Sequence, residues 1–350
     1  MIPDRKIRVL IVDDSAIVRK LLTEALAEEP DIEVVGTAPD PYIARDKVLS
    51  LSPDVLTLDI EMPRMDGLTF LKKLMMFRPI PVVIISSLAQ ASCEVGVEAL
   101  RAGAVEVIAK PGGPYSVGEL KNSLAGKIRA AAAAHLAPLR TVKPARGPYP
   151  VPAGGKFNPL AVIAIGASTG GTEAIEEVLI HLPADIPGIV ITQHIPAGFS
   201  RAFAERLNRC CPMRVAEAKD GDTVQPGLAL IAPGNFHMIL RQSGGLYRVT
   251  VKDGPMVCYQ RPSVDVLFSS VAEAAGPNAV GVILTGMGSD GAQGLKKMKS
   301  AGAFTIAQDE ASCVVFGMPK EAIRIGGVER VVSLPFVAQA ILHAPVIVAP

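Results

Sequence analysis

Residues Leu160 to Gly171 read LAVIAIGASTGG, an apolar, partly β-branched run ending in a glycine-rich turn. Such a run predicts a buried strand, and the glycines after it predict a tight turn that opens a helix. Ser168 stands at the apex of that turn. Gly166-Ala167-Ser168-Thr169-Gly170 fits G-x-S-x-G, in which glycines let the backbone turn sharply enough to expose a nucleophilic hydroxyl above a sheet. The same letters suit a strand-to-helix turn that cradles phosphate, so the stretch alone leaves both readings open.

Outward from this turn, the chain has room for about two domains at ~150 residues each, within a total of 350 residues. With 35 Lys and Arg against 34 Asp and Glu, no basic face points to nucleic acid and no acidic excess points to disorder. Apolar residues make up 49% of the chain, with 4% aromatics and no Trp, which suits Val, Ile, Leu and Ala cores between helices and parallel strands. No apolar run reaches about 18 residues and the N-terminus leads directly into a strand, so neither a signal peptide nor membrane insertion is expected. Five cysteines without a C-x-x-C pattern read as reduced thiols in a cytoplasm.

From residue 7 to about 134, five β-rich runs (IRVLIV, IEVVGTA, DVLTLD, PVVIISS and VEVIA) alternate with helical patterns. This predicts a doubly wound sheet of five parallel strands, which binds ligands at the strands' carboxyl ends. Asp13 and Asp14 end the first strand, Asp59 the third and Ser86 the fourth, and Lys110 follows the fifth. Three carboxylates at one sheet edge repel unless a hard divalent cation such as Mg²⁺ sits among them. A lysine and a hydroxyl beside them let the site hold a phosphoryl group. With these five residues this half resembles the receiver domain of response regulators. The resemblance implies that Asp59 is phosphorylated, that Asp13, Asp14, Asp59 and the Glu61 carbonyl arrange Mg²⁺, and that Ser86 and Lys110 sense the phosphate. Three residues before the lysine, where such domains carry an aromatic switch residue, stands Val107.

Residues 135–158 are rich in Ala, Pro and Gly without hydrophobic period and read as an interdomain linker between a domain at 1–134 and one at 159–350. The second domain is expected to be α/β, with a mostly parallel sheet and an antiparallel section over 214–252. A serine hydroxyl is a poor nucleophile until a base takes its proton and a third group orients that base. Strand GIVITQHI (188–195) carries Gln193-His194 at its end, and strand NAVGVILTG leads through Met287 to Asp290. Parallel strands line up their carboxyl ends, so Ser168, His194 and Asp290 can meet although they are far apart in sequence. The order Ser, His, Asp is not that of an α/β-hydrolase. His181, on a helix face, and His237, after a Pro-Gly-Asn turn, are rival bases away from central strand ends.

The motifs IGASTGGTEAI, TQHIPAGFSRAFAERLN, RPSVDVLF, LTGMGSDGAQGL and DEASCVVFGMPKEAI make residues 158–345 resemble the chemotaxis protein-glutamate methylesterases (CheB), which carry an N-terminal receiver. The resemblance implies a Ser168 nucleophile, a His194 base, an Asp290 orienter, an oxyanion donor at the Met287 N–H and an assisting Thr169. It further implies hydrolysis of glutamyl γ-methyl esters, and deamidation of certain glutamines, on methyl-accepting chemoreceptors, with no cofactor for the esterase step. A chemotaxis histidine kinase would supply the phosphoryl group, and the unphosphorylated receiver would cover the cleft. A cytoplasmic monomer recruited to receptor arrays is expected. Two competing readings are a receiver-controlled binding protein without esterase activity and a nucleotide-binding oxidoreductase. The second lacks G-x-G-x-x-G and an acidic residue at the next strand end.

Overall fold

The computed structural model describes residues 5–110, 116–135 and 157–347. It separates into two compact units, Met1–Arg140 and Thr141–Pro350. Nearly all of the segment read as a linker, residues 136–156, lies outside the described residues.

The first unit alternates β1 (Ile7–Val12), α1 (Ala16–Ala27), β2 (Ile32–Ala38), α2 (Pro41–Leu51), β3 (Val55–Asp59), α3 (Gly67–Phe77), β4 (Val82–Ser86), α4 (Gln90–Arg101), β5 (Glu106–Ala109) and α5 (Ser116–Ala132). Its sheet has the order β2-β1-β3-β4-β5, and every pairing is parallel. β3 and β4 are buried at every residue, as expected for strands covered by helices on both faces. Local chemistry sets the helix starts. Asp40 accepts from the N–H groups of Tyr42 and Ile43 at 2.9 and 3.0 Å, with Pro41 at the first position of α2. Asp66 accepts from Thr69 N–H at 2.8 Å to start α3. Gly67 is required where α3 meets β3, because a Cβ there would lie 2.0 Å from the Asp59 carbonyl oxygen.

The second unit begins with β6 (Val162–Ala167), α6 (Gly171–Leu179), β7 (Gly188–Gln193), α7 (Phe199–Cys210), β8 (Arg214–Glu217), β9 (Thr223–Val224), β10 (Leu228–Ile231), β11 (His237–Ser243) and β12 (Leu246–Lys252). It continues with α8 (Val264–Ala275), β13 (Ala279–Ile283), α9 (Ala292–Ser300), β14 (Phe304–Gln308), α10 (Met318–Arg324), β15 (Arg330–Val332) and α11 (Val337–Leu342). Seven strands form one sheet in the order β15-β14-β13-β6-β7-β10-β8, parallel throughout. Residues 214–252 are therefore not uniformly antiparallel. β8 and β10 join the parallel sheet, where the run LALI is buried at all four positions, and only β9, β11 and β12 form the antiparallel section. The two-glycine turn at Gly244 and Gly245, with φ of 59° and 79°, closes the β11–β12 hairpin.

β6 sits between β13 and β7, so the chain reverses its direction of winding beside the strand that carries Ser168. Such a switch point opens a crevice at the carboxyl ends of the strands. α8 closes one face. Its Val264, Leu267, Phe268 and Val271 are fully buried and share a core with Val162 and Ala164 of β6, Ile283 of β13, and Met238 and Leu240 of β11. The Ser270 hydroxyl accepts from Leu240 N–H at 2.9 Å, tying the antiparallel section to the same helix. Truncation of Phe268 to Ala is expected to destabilise this unit by about 3–5 kcal/mol in urea unfolding. A loss below about 1 kcal/mol would contradict the central place of α8 in the core.

Candidate active site

The crevice gathers the ends of three adjacent strands. β6 ends at Ala167, β7 at Gln193 and β13 at Ile283, and their following loops carry Ser168, His194 and Asp290. Backbone bonds stitch the three ends together: Ser168 N–H donates to Thr285 O at 3.0 Å and His194 N–H to Ala167 O at 3.1 Å. The buried Gln193 amide donates to Ser168 O at 2.8 Å. Gly171 leaves room for it, since a Cβ there would come within 2.1 Å of Gln193 Oε1. The left-handed residue of the turn is Gly170, with φ 75°, so Ser168 keeps an ordinary backbone and the geometry departs from a strained elbow centred on the serine. Gly171 N–H bonds to Ser168 O at 2.7 Å, which commits one of the N–H groups that a phosphate cradle would present.

His194 and Asp290 meet directly, His194 Nε2 lying 2.8 Å from Asp290 Oδ2. The other imidazole nitrogen, Nδ1, is buried and has no hydrogen-bond partner among the described residues. Asp290 is buried and accepts three further bonds: from the Ser263 hydroxyl (2.8 Å), Val264 N–H (2.7 Å) and Asp265 N–H (3.0 Å). The last two are orphan donors of the first turn of α8, where the helix dipole favours negative charge. Burial by itself would raise the Asp290 carboxyl. The hydrogen bond and charge of His194, together with the α8 N–H groups, hold it below the usual carboxylate range. The rival histidines are engaged elsewhere. His181 is not on a helix face as expected but lies two residues past the end of α6, its Nδ1 2.7 Å from Glu177 O, and His237 Nδ1 accepts from Ser263 N–H at 3.2 Å.

A second polar cluster lies at the carboxyl edge of the first unit. The carboxylates of Asp13, Asp14 and Asp59 place ligand atoms within 4.8 Å of one another. Lys110 Nζ lies 2.7 Å from Asp59 Oδ2 and 3.2 Å from Asp13 Oδ2. Burial pushes Asp59 up to about 6, outweighing the lysine that pulls it down, and burial likewise raises Asp13. Buried carboxylates held above their normal range are short of positive charge, and an all-oxygen donor set of this kind fits Mg²⁺. The Ser86 hydroxyl is buried with no partner among the described residues, which suits a fifth group that binds a phosphoryl oxygen. Glu61 N–H donates to Asp59 Oδ1 at 3.2 Å, placing the Glu61 backbone beside the aspartate.

The model of the CheB methylesterase family matches residues 163–341, and that of the response regulator receiver domain matches residues 9–121. The protein-glutamate methylesterase/protein-glutamine glutaminase 2 of Syntrophus aciditrophicus is 58% identical over 343 residues, spanning 97% of this chain and 99% of its own. The chain belongs to the CheB methylesterase family. Its relative in Salmonella typhimurium, a protein-glutamate methylesterase/protein-glutamine glutaminase, is 56% identical over 339 residues, 96% of either chain. Among solved structures, the Thermotoga maritima CheB methylesterase catalytic domain superposes with a TM-score of 0.51 at 37% identity, covering 52% of this chain and 97% of its own.

CheB membership accounts for motifs to which the sequence alone gave no chemistry. Ser263, in the RPSVD stretch, caps α8 by accepting from Val266 N–H at 3.4 Å and donates to Asp290. A serine just before an apolar helical pattern is a start signal, but its second bond depends on a loop 27 residues away. The FGMP stretch braces the loop before Asp290, with Gly317 N–H and Met318 N–H both donating to Gly286 O at 3.0 and 2.8 Å. In the receiver of this CheB, Val107 is fully buried in β5. A β-branched side chain is stiff at χ1, so it has no large rotamer swing to offer.

Labelling of Asp59 by a small phosphodonor, followed by intact-protein mass, is expected to vanish when divalent cations are chelated and to return with Mg²⁺. Undiminished labelling in chelator would remove the cation from this site.

Proposed function

We propose that this CheB is a receiver-controlled esterase that hydrolyses glutamyl γ-methyl esters on methyl-accepting chemoreceptors and deamidates certain of their glutamines. The observation that carries the reading is the divided imidazole of His194. Its Nε2 is taken by Asp290 at 2.8 Å, and its Nδ1 is buried with no partner among the described residues, in a residue whose backbone N–H bonds to Ala167 O just before Ser168. Ser168 attacks the ester carbonyl as Nδ1 takes the hydroxyl proton, so the imidazolium forms against the Asp290 carboxylate. Collapse of the tetrahedral adduct returns that proton to the departing methoxide, releasing methanol and leaving an acyl-Ser168. Water then repeats the sequence: Nδ1 takes its proton, the acyl bond breaks, and the carboxyl product leaves with Ser168 restored. A glutamine substrate differs in its leaving group, which departs as ammonia.

The Met287 N–H supports an oxyanion role, because it has no acceptor among the described residues. Such a donor is worth about 10²–10³ in rate. Thr169 is buried beside Ser168 and is assigned an assisting hydrogen bond. On the receiver side Asp59 accepts the phosphoryl group from a chemotaxis histidine kinase. Asp13, Asp14, Asp59 and the Glu61 carbonyl would hold Mg²⁺, which neutralises charge during transfer. Lys110 and Ser86 then bind phosphoryl oxygens. Phosphorylation adds roughly −1.5 to −2 charge at this edge, and this change relieves restraint of the esterase by the receiver. The domain limits 1–134 and 159–350 follow the same reading. No helix among the described residues is long and apolar enough to cross a membrane; the proposed location is the cytoplasm, at receptor arrays.

Ser168→Ala is expected to fold and to lower methanol release from methylated receptor membranes by at least about 10³-fold, and Asp290→Asn by about 10³- to 10⁴-fold. Near-normal turnover by a folded Ser168→Ala protein would overturn the nucleophile assignment. A small phosphodonor is expected to raise the rate of the full chain, and Asp59→Asn to abolish that rise. An equal rise in Asp59→Asn would place the control elsewhere.

A further inference from the structure

Beside the triad stands a hairpin that the reaction as described does not use. Val257 and Gln260 exchange both backbone hydrogen bonds, at 3.1 and 2.9 Å, which leaves Cys258 and Tyr259 as the two turn residues. Both are left-handed, with φ of 51° and 60°. A two-residue turn of this hand strongly favours glycine or asparagine, yet here it carries a cysteine and a tyrosine. The base of the hairpin is pinned on two sides. Arg261 Nη1 donates to Asp253 Oδ1 at 2.5 Å and to Gly254 O at 2.6 Å. His237 Nε2 donates to Pro255 O at 2.9 Å while its Nδ1 accepts from Ser263 N–H. One imidazole therefore ties the hairpin to the helix start that seats Asp290.

At the tip, the Tyr259 side chain is directed away from the protein. The residue is 92% exposed, and Met256, at the start of the hairpin, is 52% exposed. Cys258, itself exposed, has its Sγ with carboxylate oxygens of Asp265 and Asp290 within a 4.8 Å cluster, which places the hairpin next to the triad. Left-handed non-glycine residues persist only where their surroundings enforce them, and they gather at functional sites. An exposed aromatic on a rigid, strained support is a poor choice for stability and a good one for contact, since tyrosine is among the residues that dominate protein interfaces. A glutamyl ester extends only three carbons beyond its own Cα. For its carbonyl to reach Ser168, the folded surface that bears it must press against the rim of the crevice.

We propose that the hairpin Met256–Gln260, with Tyr259 at its tip, is a docking lip that grips the protein substrate next to the esterified glutamate. It sets affinity for that substrate and leaves the chemistry at Ser168 to the triad. The proposal rests on the esterase reading, and the experiment separates the two. In the full chain, Tyr259→Gly suits the left-handed turn better than tyrosine does, so the variant is expected to melt no lower than the parent. On methylated receptor membranes its KM is expected to rise about tenfold with kcat within twofold, and Tyr259→Phe is expected to restore most of the affinity. A serine-directed phosphonate, too small to need the lip, is expected to label Ser168 at the parental rate. An unchanged KM in Tyr259→Gly overturns the proposal, and so does a fall in phosphonate labelling that parallels the loss on receptors. Absence of labelling and of methanol release in the parent protein is a different result, and it tells against the esterase itself.

Discussion

Asp290 depends on four donors. A lone carboxylate in a dry interior takes up a proton; this one is held by the first turn of α8, the Ser263 hydroxyl and the His194 ring. Everything else in the second unit serves to bring these donors to one point. α8 needs its buried Phe268 face to lie against β6 and β13, and that packing aims its N-terminus at the loop after β13. A charged orienter fixes which imidazole nitrogen carries the hydrogen. With Nε2 facing Asp290, Nδ1 is the atom left for proton transfer. In the proposed triad the α8 terminus supports the orienter although it contributes no reacting atom.

The two units solve the same electrostatic problem by opposite means. In the second, one carboxylate is surrounded by N–H and O–H donors and kept ionised. In the first, Asp13 and Asp59 share a single lysine beside Asp14, and burial drives Asp59 and Asp13 toward protonation. The first cluster is short of positive charge, whereas the carboxylate of the second has its donors within the protein.

Much of this was legible in the sequence. Strand ends in a parallel sheet fall at predictable places, so Asp13, Asp59, Ser86 and Lys110 in one unit, and Ser168, His194 and Asp290 in the other, could be picked out as residues able to meet. Less legible were contacts made by side chains from outside those strands. Ser263 reads locally as a helix cap, and nothing in RPSVDVLF shows that its hydroxyl turns to a distant aspartate. Gln193 reads as a strand terminus, and its grip on the Ser168 carbonyl exists only once β6 and β7 are paired. β8 and β10 look like members of an antiparallel meander because they are short and lie among Gly-bearing turns such as Asp220-Gly221. Their parallel pairing with each other and of β10 with β7, and the complete burial of β10, are tertiary properties. Cys258 and Tyr259 carry no sequence sign of left-handed backbone, since the usual glycine or asparagine is missing.

The stitching of the three strand ends has a bearing on how such a site is inherited. Ser168, His194 and the loop before Asp290 are joined through Ala167 O, Ser168 O and Thr285 O, so a shift at one end displaces the others. Substitutions around Gln193, Gly171 and Thr285 are coupled choices rather than independent ones.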